Sequence, residues 1–496
     1  MKVFTGEQIR AWDAFTIAHE PIPSLQLMER AAQACCHWIT SAYPHRGKAF
    51  YVFCGKGNNG GDGLALARLL LERHIPVLVY ILEFGHKGTE DFQVNLQRLH
   101  DLTPDIYFIQ GQEAFPPLPE NAILVDALLG TGLNRPLEGL TADLVSFLNR
   151  SGRPILALDL PSGLRTDAPS TGGPVIQAIH TLTLGTYKLG LLVADNAGYF
   201  GEVHLFPIGL HPEYEAETYS PLQIVEPSLA AHYYKPRSSF SHKGTFGHAL
   251  LVAGGEGKMG ACLLSAKACL RSGVGLVTVL VPPAGLPIVQ ATVPEAMGLT
   301  DVGAVQVSAY KAFGIGPGIG MDALPLLSRV LGLASFPMVI DADALNLLGA
   351  NSGLWDKVPP YSILTPHPKE FERLFGVCAD DFERLRRALE QAGEHRCHIV
   401  LKGHRTFIAC PDGSGYFNMT GNAGMATGGS GDVLTGILTG LLAQGYPPRH
   451  AAILGVYLHG LAGDLALEGE SMESLLASGI VEGLGAAFKH LAQEVK

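Results

Sequence analysis

The chain has 496 residues, room for two to four domains at roughly 150 residues each. Lys plus Arg is 35 and Asp plus Glu is 46, so the formal net charge is −11, which argues against a nucleic-acid partner. Hydrophobic residues are 47% and charged residues only 16%, which excludes general disorder.

Glycine is abundant, 60 residues, alongside many Val, Ile and Leu, a composition suited to buried parallel strands joined by tight turns. The eight cysteines are scattered and include no C-x-x-C. They read as reduced thiols of a cytoplasmic protein, with neither a disulfide scaffold nor a cysteine-based zinc site. Residues 1–7 lack the apolar stretch of a signal peptide, and no apolar run approaches the roughly 18 residues of a membrane span. No membrane partner is expected.

In chain order, Thr5 and Gln8 form a capping-box pattern that predicts a first helix. Ser24 predicts the cap of a second, with Leu27, Met28, Ala31, Ala32 and Cys35 as its packed face. Residues 49–54 predict a buried strand, 55–63 a glycine loop, 64–70 a helix and 77–82 the next strand. Further strands over 123–125 and 155–158 run into Asp126 and Asp159. Residues 209–241 are rich in turn formers, and the domain boundary is expected there, near residue 225, giving domains 1–225 and 226–496. The second half restarts with a strand over 249–253, glycines 254, 255, 257 and 260, and a helix over 261–272 that Gly273 would terminate. Strands are expected over 277–281, 312–315, 338–340 and 399–401. A glycine run over 421–431 feeds a helix over 432–438. This alternation predicts two α/β domains, with ligands at the carboxyl ends of the strands.

Gly55, Gly57 and Gly60 match a dinucleotide fingerprint, and Glu83 lies 23 residues beyond Gly60, so an ordinary hydride-transfer domain is one reading. Asn58, Asn59 and Asp62 tilt the balance. They add amide and carboxylate groups able to hold a polar ligand or a hard cation. Gly130, Thr131, Gly132, Leu133, Asn134, Arg135 and Pro136 follow the strand that ends in Asp126, and their backbone amides and guanidinium suit a phosphate. Asp159, Leu160, Pro161, Ser162 and Gly163 follow the next strand.

Together these three segments resemble the NAD(P)H-hydrate epimerase family, the YjeF N-terminal domain, which implies a Rossmann-like three-layer fold. The resemblance implies that Asn58, Asn59, Gly60, Gly61, Asp62 and the 130–136 loop bind the hydrated dinucleotide. It also implies potassium ligands at Asn59, Asp126 and Ser162, and a carboxylate at Asp159 near the chemistry. Lys188 falls in the family's lysine segment, although Tyr187 stands where a proline is common. The chemistry needs a positioned acid/base: C6 of the hydrate is a carbinolamine that opens and recloses as a proton moves on and off its hydroxyl.

In the second half, the glycine run ends in Gly431 and Asp432 at a helix start. Successive glycine N–H groups and the helix dipole form an anion cradle. A carboxylate beside an anion site points to a base acting on a substrate oxygen; the alternative is a favourable first-turn aspartate. The segment resembles the ribokinase-like superfamily. More narrowly it resembles the ADP-dependent NAD(P)H-hydrate dehydratase family, through residues 242–244, 259–261, 316–320, 341–346, 364–370, 401–406 and 420–434. The resemblance implies that Ala261, Gly318 and His367 contact the hydrate, and that Lys402, Gly403, His404, Arg405 and Thr406 form the adenine-nucleotide loop. Gly431 is then a phosphate contact and Asp432 the base. Glu256 and Lys369 depart from the family's usual serine and glycine. His367, framed by Pro366 and Pro368, is expected to display its side chain. Asp341 and Asp343 are candidate magnesium ligands whose assignment stays open.

The expectation is therefore a two-domain repair enzyme, a homo-oligomer acting on NADHX and NADPHX with ADP or ATP, potassium and magnesium. The alternatives are a ribokinase-type small-molecule kinase fused to a dinucleotide-binding domain, and a non-catalytic scaffold.

Overall fold

The computed structural model describes residues 1–43 and 47–494. Among these the chain divides into two compact units. One comprises Lys2–Ser220 with Asp380–Phe382; the other comprises Met1, Pro221–Ala379 and the chain from Glu383. The division falls at Ser220/Pro221 rather than near 225. The physical reason is the strand Leu222–Val225, which pairs with Gly415–Asn418 and so belongs to the second sheet.

The strands in chain order are β1 (Ala49–Cys54), β2 (Val77–Leu82), β3 (Ile106–Ile109), β4 (Ala122–Ala127), β5 (Ile155–Leu158), β6 (His180–Leu184) and β7 (Glu202–Phe206) in the first unit. They form one parallel sheet in the order β3-β2-β1-β4-β5-β6-β7. Strand order reverses between β1 and β4, the switch point where doubly wound sheets open a crevice. Side chains alternate across β1. Phe50, Val52 and Cys54 pack with residues of the helices Ser24–Ser41 and Asn58–Leu71, whereas Tyr51 and Phe53 pack with the helix Gly139–Arg150. That makes three layers, as expected.

The second unit contains β8 (Leu222–Val225), β9 (His248–Val252), β10 (Leu276–Leu280), β11 (Met297–Leu299), β12 (Ala312–Ile315), β13 (Val339–Ile340), β14 (Ile363–Leu364), β15 (His398–Leu401), β16 (Phe407–Ala409) and β17 (Gly415–Asn418). They form a sheet in the order β11-β10-β9-β12-β13-β14-β15-β16-β17-β8. Pairing is parallel from β11 to β15, and β15-β16-β17 is an antiparallel meander. Helices Met259–Arg271, Ser430–Ala443, Pro448–Ala466 and Ala477–Glu494 cover one face, burying Ala266, Ile437, Leu458 and Leu484 against Ala249 and Leu251.

The Thr5 capping box is present: Thr5 Oγ1 accepts from Gln8 N, and Gln8 Oε1 accepts from Thr5 N. Gly273 follows the helix Met259–Arg271 and its N–H closes onto Leu270 O at 3.1 Å. Ser24 is not a cap. Pro23 holds that place, and Ser24 Oγ donates to Asp91 instead. Both glycine loops are shorter than expected, because helix begins inside them. The first helix starts at Asn58 and the second at Ser430, so Asn58–Gly61 and Gly431–Asp432 are first-turn residues, with Asp62 just beyond. β6 and β7 lie in stretches the apolar-run criterion passed over, since each opens on polar residues.

Gly60 shows why the first loop needs glycine: a Cβ there would stand 1.8 Å from the Gly55 carbonyl oxygen. Gly60→Ala is expected to cost about 1–3 kcal/mol through overpacking. Gly132→Ala, where an added Cβ meets nothing within 4 Å, should stay within about 0.5 kcal/mol. Denaturant unfolding of the full chain measures both.

Candidate active sites at the two strand rims

In the first unit a cavity of 990 Å³ opens at the carboxyl ends of the strands. Asn58, Asn59, Asp62, the whole 130–136 loop, Asp159 and Lys188 line it. Gly60 and Gly61 do not; both are buried, and a Cβ on Gly61 would meet the Met28 sulfur at 2.7 Å. They permit close packing beneath the cavity-lining residues.

Asp159 ends β5 in an unusual turn. Its φ is +64°, and Leu160 N–H donates to Leu158 O at 2.8 Å, a three-residue turn of the rare strained form. Gly185 ends β6 the same way, with φ +73° and Thr186 N–H donating to Leu184 O at 2.9 Å. The two turns bring Lys188 to Asp159. Lys188 Nζ donates to Asp159 Oδ1 at 2.5 Å, to Thr183 Oγ1 at 3.0 Å and to Leu184 O at 2.7 Å. Lys188 is 1% exposed, so this ion pair is held in a site largely shut to water.

Two more carboxyls crowd the pair. Burial first, then the charges of Asp159 and Asp13, push Asp62 well above the usual carboxylate range. Burial and the Asp159 charge raise Asp13 to about 6, against the pull of Lys188. Sequence reading missed Asp13. It sits mid-helix in Gly6–His19 and carries no motif; only the fold brings that helix to the rim.

Asp126 and Ser162 lie beneath the cavity rather than on its wall. Asp126 is wholly buried. It accepts from Ser162 N at 2.7 Å, Ser162 Oγ at 2.6 Å and Leu128 N at 3.2 Å, while Ser162 Oγ accepts from Leu129 N at 2.9 Å. Burial raises the Asp126 carboxyl to about 6, with the Ser162 bonds pulling the other way. Asn59 is also buried, and neither its Oδ1 nor its Nδ2 has a hydrogen-bond partner. An orphaned buried amide costs free energy, and its oxygen is a donor suited to a hard cation.

In the second unit a 450 Å³ pocket is lined by Lys258, Ala261, Gly318, Asp343, Gly428, Gly429 and Asp432 among others. Gly429 adopts φ +97° as the cap of the helix Ser430–Ala443. The N–H groups of the first turn are therefore left without intrahelical acceptors. Burial, then the Asp341 charge, raises Asp432 to about 6, while Lys402 pulls it down. Lys402 Nζ donates to Asp341 Oδ1 at 2.9 Å and lies 3.7 Å from Glu370 Oε2. Its burial favours the neutral amine, but Asp341 and Glu370 outweigh that and raise its pKa. Asp341 Oδ2 accepts from Thr435 Oγ1 at 2.7 Å, so both its oxygens are engaged. Asp343 accepts from Gly320 N at 2.9 Å.

Around the nucleotide-loop candidates, Arg405 donates to Met419 O at 2.9 Å and Thr406 Oγ1 to Gly403 O at 3.0 Å; Gly403 and His404 are exposed. His367 is displayed only in part. It caps the helix Pro368–Phe375, with Nδ1 accepting from Lys369 N and Glu370 N, and the side chain is 44% exposed. Two bracing residues escaped sequence reading. His459, pushed down to about 4 by burial and so neutral, donates to Ser430 O at 3.0 Å. Asp464 accepts from Gly421 N and Asn422 Nδ2.

Fold and rims define a protein of two nucleotide-type α/β units, each with strand-end carboxylates in a pocket. Residues 24–190 match the family model described as YjeF-related protein N-terminus, and residues 249–484 match the model described as NAD(P)H-hydrate dehydratase. The bifunctional NAD(P)H-hydrate repair enzyme Nnr of Moorella thermoacetica is 35% identical across 100% of this chain and 98% of its own length. The Escherichia coli enzyme of the same name is 35% identical, covering 92% and 88% respectively. A ribokinase-like superfamily protein from Enterococcus faecalis is 32% identical with a TM-score of 0.51, over 56% of this chain and 98% of that one. The chain belongs to the family of bifunctional NAD(P)H-hydrate repair enzymes.

Asp126→Ala would leave the Ser162 and Leu128 N–H groups buried without acceptors. The expected loss is about 1–3 kcal/mol for each such donor, read as a lowered melting transition of the first unit. Asp126→Asn should recover part of it.

Proposed function

We propose that the first unit interconverts the R and S hydrates of NADH and NADPH and the second dehydrates the S form using ADP. The observation that supports this most directly is Asp432 facing the same pocket as Gly428 and Gly429, beside the Lys402 ammonium. A base adjoining an anion cradle is what phosphoryl transfer to a poor leaving group requires.

For epimerisation, Asp159 takes the proton from the C6 hydroxyl. C6 becomes a carbonyl as its bond to the ring nitrogen breaks, and the nitrogen receives a proton. Reclosure on the other face gives the other epimer. Lys188 holds the Asp159 carboxylate at a fixed place, and Asp62, whose pKa burial pushes well above the usual carboxylate range, is placed to donate. Arg135 and the N–H groups of residues 130–135 bind phosphate. Asn59, Asp126 and Ser162 are all oxygen donors and fit potassium, with the orphaned Asn59 amide as the supporting observation. Bound potassium supplies positive charge that orients oxygens.

For dehydration, Asp432 takes the C6 hydroxyl proton as that oxygen bonds to the terminal phosphoryl group, and AMP leaves. The ring nitrogen lone pair then expels phosphate. Loss of the C5 proton restores the double bond. Lys402 and the 428–431 amides stabilise the charge on the phosphoryl oxygens, and the 402–406 loop holds the nucleotide. Ala261, Gly318 and His367 border the hydrate; Asp343 is the more open of the two magnesium candidates.

The test is incubation of the purified chain with mixed hydrates and ADP, following the near-ultraviolet absorbance of the reduced nicotinamide. Full recovery is expected. Asp159→Asn should stop near the S fraction, with epimerisation reduced by about 10²–10⁴-fold. Asp432→Asn should abolish recovery with epimerisation intact. A stable phosphorylated alcohol as product would overturn the reading in favour of a kinase.

Asp432 works as the anion. Burial holds its pKa at about 6, above the ordinary carboxylate range, so dehydration should fall as pH drops through about 6 and plateau above it. Asp341→Asn removes a negative neighbour and should move that acid limb to lower pH in kcat/KM profiles.

A further inference from the structure

A second side-chain cluster lies in the first unit, away from the cavity. His180 opens β6, and Glu202 and His204 stand at the first and third positions of β7. The parallel register sets His180 beside Glu202 and Leu182 beside His204, which puts all three side chains on one face. They sit at the amino ends of the strands, whereas the cavity residues follow the carboxyl ends. β7 is the outermost strand of its sheet, so this is the corner where the edge strand is held by the fewest neighbours.

His180 Nδ1 lies 3.0 Å from His204 Nε2. Glu202 Oε2 lies 3.5 Å from His180 Nδ1, and Glu202 Oε1 lies 3.9 Å from His204 Nε2. A tetrahedral ion with bonds of about 2.0–2.1 Å separates its ligands by about 3.3–3.4 Å. The His–His separation and the two carboxylate approaches, which use different Glu202 oxygens, lie near that value, and one ligand atom from each residue falls within 4.8 Å of the others. Trp38 covers the pair, its ring centroid 4.4 Å from that of His204 and 5.1 Å from that of His180. The indole holds both rings against the sheet. Glu202 is 69% exposed, which leaves an approach from solvent for an ion and a coordinated water.

We propose that His180, Glu202 and His204 form a site for a borderline divalent metal ion, zinc or cobalt(II), that clips the edge strand β7 to β6. Two imidazole nitrogens and one carboxylate oxygen are the donor set such ions select. Water completes the fourth position. Placed at the opposite strand ends from the cavity, the ion stabilises the sheet corner and takes no part in epimerisation.

The experiment uses the full chain, stripped with chelator and titrated with cobalt(II) chloride. Expected is saturable binding of one equivalent, with the intense ligand-field bands of a four-coordinate site and parallel quenching of tryptophan fluorescence. The chain has three tryptophans, and Trp38 is the one packed against the cluster. Trp38→Phe should keep the bands and lose most of the quenching. His180→Asn/His204→Asn should lose both while keeping epimerase activity. Glu202→Gln, at an exposed position tolerant of change, should weaken binding by about tenfold or more. Zinc should displace cobalt and raise the first unit's melting transition in the unsubstituted chain alone. No one-equivalent binding, or bands that persist undiminished in both the double variant and Glu202→Gln, would overturn the site and leave a plain His–His hydrogen bond. If the double variant fails to fold, Glu202→Gln and Trp38→Phe still decide the matter.

Discussion

A parallel strand can deliver its chain to only one rim of its sheet. In both units that constraint gathers loops far apart in sequence. β1, β4, β5 and β6 each end beside the same 990 Å³ cavity. β12 leads to Gly318, and the helix after β17 brings Asp432 to meet it. The crevice itself exists because strand order reverses at β1/β4.

The rims concentrate carboxyls faster than cations. Asp13, Asp62 and Asp159 share one buried lysine, so the cluster retains protons that isolated carboxyls would lose. Asp341, Glu370 and Asp432 likewise share Lys402. Burial makes these charges expensive and also makes their mutual tuning strong. Asp13 and Asp432, raised to about 6, are therefore poor stabilisers of the fold and well placed for proton transfer near neutral pH.

Loop placement rests on polar groups that lie one layer deeper. Asp126 ties the β4 and β5 loops through Ser162. His459 and Asp464, on the helix Pro448–Ala466, brace the second glycine segment from below. Asp126 and Ser162 do not line the first cavity, nor His459 and Asp464 the second pocket, yet they set where the lining residues stand.

The sequence by itself determined the α/β class, the two-unit division, the Thr5 cap and three of the segments that border the first cavity. These depend on local periodicity, turn formers and motif spacing, which are written along the chain. Only the tertiary structure decided that helix starts inside the glycine segments, and that Gly60 and Gly61 pack beneath the cavity wall. It also decided that Pro23 displaces Ser24 at a cap, that Asp13 joins Asp159, and that β8 crosses to the second sheet. Each of those outcomes depends on contacts between residues distant in sequence, where neither propensity nor spacing carries information.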